Sequence, residues 1–501
     1  MFETAELGQR IDDATFDEQE TVMRNALLDE QQRLREGGFP VLVLFAGLDK
    51  AGTGDAVNVL NAWMDPRWIQ TEAYGAPSSE SQQRPAFWRF WRDMPPRGVI
   101  GLRLSAWYRQ PFEARLAGRI DDLDFEKAMH RIKVFEQMLA DDGALIVKFW
   151  MHLSKKAQKK KIAALKKDPA TAWRVSESDE AQHAQYDEVV RLGERMILRT
   201  DAGNAPWHIV EGADPNFRRL RVGTLLHAAM EAASNRAEAR RQLPRVVPGE
   251  DEEEARPETR PRSILQRVVM PAKLPKSEYE EQLPLLQGRL HRAYREAAER
   301  GVTLLAAFEG WDAGGKGGAI RRVTAALDAR TYRVIPIAAP NDEEKARHYL
   351  WRFWRHLPRR GRVTIFDRSW YGRVLVERIE GFATPREWMR AYAEINDFEQ
   401  QLVEDGAVLA KFWLHITREE QEQRFQDRMD TPHKRWKITD EDWRNRARWD
   451  EYEAAVHDMI ERTSTRLAPW TIVPGNQKRY ARLHVLRTLA EALEQRLEAL
   501  G

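Results

Sequence analysis

Cysteine is absent from all 501 residues, which excludes disulfide frameworks, zinc ribbons and thiol nucleophiles together. Long apolar segments are missing too. The longest uninterrupted run, Val41 to Ala46, has six residues, against the ~20 needed to span a bilayer. Nor is there an excess of one charge: 80 Lys and Arg face 78 Asp and Glu, a formal +2, unlike a polycation built for nucleic acid. The opening MFETAELGQR shows no basic stretch leading into an apolar one, so no secretory signal is expected. These absences predict a soluble, cytoplasmic globular protein with neither a membrane nor a nucleic-acid partner. At ~150 residues per domain, the length predicts two or three domains.

What the chain does contain is itself, twice. A constant offset of 263 residues places Gly47-Leu48-Asp49 on Gly310-Trp311-Asp312, Trp88–Arg92 on Trp351–Arg355, Trp107-Tyr108 on Trp370-Tyr371 and Lys148–Trp150 on Lys411–Trp413. Between Arg84 and Gly98, nine of 15 positions match, where composition alone gives roughly one. Chance does not hold register over such a length, so the chain is an internal duplication. Residues 240–263, RRQLPRVVPGEDEEEARPETRPRS, combine proline with an acidic run and few apolar groups, which predicts a solvated linker. The expected domains are therefore 1–239 and 264–501.

In the second copy, Leu304–Phe308, Arg333–Ile337, Val363–Asp367, Val408–Phe412 and Trp470–Val473 are short apolar runs of the buried-strand type. Stretches of helical period, such as 386–404 and 440–464, lie between them. Alternating strands and helices predict an α/β fold, a parallel sheet covered on both faces with right-handed crossovers. The first strand runs into Gly310-Trp311-Asp312-Ala313-Gly314-Gly315-Lys316-Gly317 and then a helix. This is a phosphate-binding loop (P-loop): glycines let successive N–H groups turn inward and Lys316 supplies a point charge. Where the generic loop carries a Ser or Thr for the metal, this one has Gly317. Asp312 inside the loop would repel phosphate without a cation, which implies Mg²⁺ there; the alternative is that Asp312 only caps the turn. Asp367 ends the strand Val363–Asp367 and is placed as a second metal ligand. Arg368 and Arg373 follow, as phosphate ligands or as structural ion pairs. Farther on, Arg424 and Arg428 share a helix face and Lys434 and Lys437 follow Pro432. The segment reads either as a lid closing over an anion or as a solvated charged face.

EGWDAGGKGG, IFDRSWYGRVLVERIEGF, KFWLHIT and RMDTPHKRWK together resemble the second polyphosphate kinase family, and the tandem copies are similar to its two-domain, AMP-phosphorylating subclass. The resemblance implies two tandem P-loop kinase-like three-layer domains, each with a helical lid. It also implies Mg²⁺-dependent transfer of the terminal phosphoryl group of inorganic polyphosphate to AMP, giving ADP. It assigns catalytic roles to Asp312, Lys316 and Asp367 and polyphosphate contacts to basic lid residues. An AMP phosphate is already an anionic nucleophile near neutral pH, its second pKa being ~6 as for phosphorylated side chains. The catalytic task is therefore to bring two polyanions together. Two other readings stay open: an ATP-dependent nucleoside monophosphate kinase, and a non-catalytic polyanion-binding protein. The fused pair also leaves homo-oligomerisation open.

The first copy keeps Asp49, Gly47, Gly52 and Gly54, but at the shared offset Lys316 becomes Thr53, Asp367 becomes Leu104 and Arg368 becomes Ser105. Leucine cannot hold a metal and threonine brings no cation, so this copy is expected to be catalytically inactive. It is either a structural half or, through the seven lysines of Lys155–Lys167, a module that holds polyphosphate by counterion release.

Overall fold

Apolar runs of five to eight residues between helices have one stable arrangement here, central strands whose two faces are both buried, while the edge strands Ile69–Ala73 and Tyr332–Pro336, the latter expected as a buried run, stay largely unburied. In the computed structural model, which describes residues 1–242, 263–432, 435 and 438–501, two five-stranded sheets form in this way, and every strand pairing is parallel. The first contains β1 (Val41–Gly47), β2 (Ile69–Ala73), β3 (Ile100–Leu104), β4 (Leu145–His152) and β5 (Trp207–Glu211), in the order β2-β3-β1-β4-β5. Its helices include α1 (Asp13–Gly37), α2 (Thr53–Trp63), α3 (Asp122–Asp141), α4 (Lys155–Lys167) and α5 (Pro215–Gln242).

The second sheet repeats the plan with β6 (Leu304–Gly310), β7 (Tyr332–Pro336), β8 (Val363–Asp367), β9 (Val408–His415) and β10 (Trp470–Pro474), in the order β7-β8-β6-β9-β10. Around it lie α6 (Lys276–Glu299), α7 (Lys316–Thr324), α8 (Pro385–Glu404), α9 (Arg418–Asp430), α10 (Asp440–Ala447), α11 (Trp449–Thr463) and α12 (Lys478–Glu498). The stretch 440–464 is two helices, not one: the chain turns at Arg448 (φ −99°, ψ 28°). Alternation along β6 sends Leu304, Ala306 and Phe308 into a core shared with α6, α7 and α12. Leu305, Ala307 and Glu309 therefore face the opposite layer, where Phe398 of α8 packs edge-on against Trp354 and Trp370 at 5.1 and 5.0 Å.

The described residues form two units, each with a short piece from the other half of the sequence. The first comprises Met1–Pro77, the chain from Phe90 to Gln242, and Asp342–His348; the second comprises Ser78–Arg89, the chain from Ser263 to Asn341, and Tyr349–Gly501. Inside the second, Arg360 N donates to Gln83 O at 3.0 Å; inside the first, the offset pair Arg97 N and Ala346 O lies at 2.8 Å. Most of the expected linker, residues 243–262, lies outside the described residues. No helix among the described residues is long and apolar enough to cross a membrane.

A buried charge cluster recurs in both units. Lys411 Nζ lies 2.7 Å from Glu399 Oε2 and donates to Thr463 O at 2.8 Å, while Tyr371 and Trp370 donate to Glu399 Oε1 at 2.6 and 2.9 Å. Lys148, Glu136, Thr200, Tyr108 and Trp107 repeat these four distances. Because the first unit keeps the cluster after losing the loop lysine, the cluster serves the fold. It ties α8 and β9 to the turn after β8.

Candidate active site

The loop from β6 to α7 sits where the strand order reverses, the place at which open parallel sheets bind ligands. Only glycine fits at Gly310: φ is +147°, and a Cβ would lie 2.5 Å from Leu414 O on β9. Gly315, at φ +109°, starts α7, so the first amides of the helix are left for an anion. Gly314, Gly315 and Gly317 line a cleft of about 530 Å³, and Gly310 lines a neighbouring pocket.

Asp312, Lys316, Asp367, Arg368, Arg424 and Arg428 all border that cleft, so the structure brings together most of the residues expected from the sequence. Lys316 Nζ donates to Gly310 O at 2.7 Å. Asp312 Oδ2 accepts from Asn445 at 2.9 Å and its Oδ1 is 3.5 Å from Arg368. Burial disfavours charge on Arg368, but the carboxylates of Asp312, Glu309, Glu441 and Asp367 more than offset it and hold the guanidinium above its ordinary pKa. Arg368 also takes φ +64°, which turns the chain sharply as it leaves β8.

Two arginines are used differently from expectation. Arg424 is almost wholly buried, and its donors are engaged: Ala313 O at 2.9 Å, Gly314 O at 3.2 Å, Gly475 O at 2.7 Å, Asn476 O at 3.1 Å and Glu420 at 2.6 Å. It braces the loop from beneath rather than reaching for substrate. Arg373 borders neither cavity; it lies over the Tyr349 ring at 4.5 Å and beside Glu377 at 3.2 Å. Lys434 and Lys437 lie outside the described residues.

The cleft has further basic walls that the motif reading missed: Arg321 on α7, and Lys478 and Arg482 on α12. Their signal was available in the spacing, since Lys478 and Arg482 are four apart at a helix start. Glu309 was missed as well. It reads as one more strand residue, yet it is buried and accepts from Ser369 N and Oγ, both at 2.7 Å. Burial pushes its carboxyl above the usual range, against the pull of Ser369, Lys316 and Arg368.

Glu309, Asp312, Lys316 and Arg368 also line the second pocket, of about 70 Å³, whose other walls include Trp311, Trp413, Leu375 and Tyr452. Trp311 stacks on Trp449 at 3.7 Å with the rings 10° apart, and its N–H donates to His415 Nδ1 at 3.1 Å. Burial brings His415 down to about 4, so the ring is neutral and accepts. One side of Asp312, Lys316 and Arg368 is thus strongly basic, and the other is aromatic.

The family model for polyphosphate kinase 2 matches residues 10–238 and again 273–500. The chain belongs to the polyphosphate kinase 2 family. A polyphosphate:AMP phosphotransferase of Pseudomonas aeruginosa is 49% identical over 495 residues, covering 99% of each chain. Another, of Pseudomonas syringae, is 47% identical over 496 residues, covering 99% of this chain and 98% of that one. The crystal structure of a Pseudomonas aeruginosa protein described as a polyphosphate kinase 2 superposes with a TM-score of 0.87 at 46% identity, covering 99% of both chains.

Both polyphosphate kinase 2 repeats keep the loop's backbone: Lys50 and Ser105 take φ +66° and +64°, as Ala313 and Arg368 take +60° and +64°. In the first repeat a carboxylate of the chain itself stands at the start of the helix. Asp55, which stands where the second repeat has Gly318, lies 2.6 Å from both Arg218 and Arg219. Despite burial, those two guanidinium groups hold its carboxyl below the usual range. The counterpart of Arg219 is Arg482, which beside Gly318 faces an open cleft. Arg218 also donates to Gly212 O at 2.6 Å, the bond Arg424 makes to Gly475 in the second repeat. On α4, Lys155 pairs with Asp187 at 2.6 Å, Lys166 pairs with Glu180, and burial next to Arg218 lowers the pKa of Lys161.

Proposed function

We propose that this chain transfers the terminal phosphoryl group of inorganic polyphosphate to AMP, releasing ADP and a chain one phosphate shorter. One observation carries the reading: a basic cleft and an aromatic-walled pocket meet at Asp312, Lys316 and Arg368. A polyanion of indefinite length suits the open cleft with its lysines and arginines, and a nucleoside monophosphate suits the pocket. The full-length relatives named for this reaction support it.

An oxygen of the AMP phosphate attacks the terminal phosphorus, and the bond to the bridging oxygen breaks. The departing chain keeps the electron pair, and a phosphate dianion needs no general base. Lys316 leaves Gly310 O to pair with the transferring group, and Arg368 neutralises charge between donor and acceptor. Asp312 and Asp367 would hold Mg²⁺. No group of three His, Cys, Asp or Glu suited to a metal occurs among the described residues, and two carboxylates suit an ion that keeps waters and phosphate oxygens in its shell. When bound, the ion would offset the repulsion between the two polyanions. Lid contacts to polyphosphate fall to Arg428, Lys434 and Lys437; the working half is 264–501, with 1–239 inactive in transfer, and the setting is cytoplasmic.

The test is ADP formation by the full chain with AMP, Mg²⁺ and either polyphosphate or ATP. Turnover with polyphosphate and little with ATP is expected; the opposite preference would make it a nucleoside monophosphate kinase, and binding without turnover a polyanion-binding protein.

A further inference from the structure

The first unit keeps a pocket of its own, of about 260 Å³, against about 70 Å³ for its counterpart in the second. Gly47, Asp49, Ser105, Trp150 and Gln182 line it, at the offsets of Gly310, Asp312, Arg368, Trp413 and Asn445. It is the acceptor pocket repeated, enlarged because Glu309 is replaced by Ala46 and Arg368 by Ser105, and walled by Tyr108, Phe112 and Trp150.

Its polar groups are not used up by the protein. Trp150 is 1% exposed, and its indole N–H has no acceptor among the described residues. The Asp49 backbone is held firmly, N to Gln182 Oε1 at 2.7 Å and O from Gln158 at 3.1 Å, but no described donor bonds its carboxyl. A group of this kind, drawn out of water, calls for a partner. The means of holding phosphate are gone. Thr53 and Leu104 replace Lys316 and Asp367, Asp55 occupies Arg218 and Arg219, and Arg109, the one described cation lining the pocket, pairs with Glu113 at 2.7 Å. Burial, then the neighbouring Asp179, also raises Asp49 to about 6, as expected of a carboxyl drawn out of water with no described donor bonded to it.

We propose that this pocket binds an uncharged purine nucleoside, its base against Phe112 and Trp150 and its hydroxyl or amino hydrogens on Asp49. The inference rests on reading the second-unit pocket as the acceptor site. The test is calorimetric titration of adenosine into the full chain with a chelator present, with and without saturating AMP. One equivalent of adenosine is expected to bind even when AMP fills the second unit. Asp49→Ala should weaken that binding at least tenfold, and Lys316→Ala should leave it in place. Ser178→Trp, at the exposed rim, blocks entry without touching the interior and should act like Asp49→Ala. Complete displacement by AMP, affinity unchanged in both first-unit variants, or no adenosine bound would each overturn the proposal. ADP formation is measured in parallel. Turnover without adenosine binding sinks this site and leaves the transferase reading standing; adenosine binding without turnover does the reverse.

Discussion

Lys316 and Gly310 hold each other: the ammonium donates to the carbonyl oxygen of the residue that opens its own loop, at 2.7 Å. The lysine is thereby kept in the loop, and in the proposed transfer it exchanges that oxygen for one on a phosphate. Lys316→Ala is expected to lower kcat by ~10²–10³, the usual result of removing one preorganised charge-stabilising group. Stopped-assay ADP formation measures it, with thermal unfolding showing the fold intact.

Asp367→Leu copies into the second unit what Leu104 is in the first. It is expected to lower turnover by ~10²–10³, as for removal of one preorganised charge-stabilising group, and to flatten the response of the remaining activity to Mg²⁺ concentration. A variant that keeps its Mg²⁺ dependence would remove Asp367 from the metal site.

Arg424→Lys should destabilise the second unit by about 2–4 kcal/mol, since one ammonium cannot serve the four carbonyls and unsatisfied buried acceptors cost ~1–3 kcal/mol each. Adding Ala481→Arg recreates the arrangement of Lys161 and Arg218. Urea unfolding of the double variant should show part of the stability recovered. ADP formation should not recover, because the new side chain enters the cleft that Ala481 lines.

Burial brings His415 down to about 4 in the folded chain, from the ordinary imidazole value of about 6.5. Between these values the unfolded chain binds the extra proton, so stability falls as pH drops through that window and is fully present above 6.5. From pH 7 to pH 5 the loss from this group is about 2 kcal/mol. His415→Gln, which keeps an acceptor for Trp311, should lose less over the same range; equal losses in urea midpoints would assign the effect elsewhere.

Restoring Thr53→Lys, Leu104→Asp and Ser105→Arg together should leave the first unit unable to turn over. Asp55 still holds Arg218 and Arg219. The readout is ADP formation in a Lys316→Ala background. Activity returning without Asp55→Gly would show that the internal carboxylate does not block the site.

The fold was legible where a residue's role depends on neighbours in sequence. Val363–Asp367 forms a strand with those bounds, and the loop from Gly310 to Gly317 needs only its glycines and lysine to be recognised. The offset of 263 carried this reading to both units. What was hidden depends on partners far along the chain. Arg424 looks like a lid residue until Gly475 and Asn476 are seen to claim its donors. Glu309 looks like strand filler until Ser369 folds against it. Within 440–464 the first helix, Asp440–Ala447, buries no residue and the second, Trp449–Thr463, buries six, a difference that a single helical period does not reveal. Neither Ser78–Arg89 nor Asp342–His348 announces in its composition that it joins the opposite unit.

Asp55 gives the first unit a permanent tenant. A carboxylate covalently part of the chain, gripped by two guanidinium groups, competes for them at a high effective concentration against any dissolved anion. On the proposed assignment of transfer to the second unit, this internal anion limits how much donor the duplicated half draws away from it.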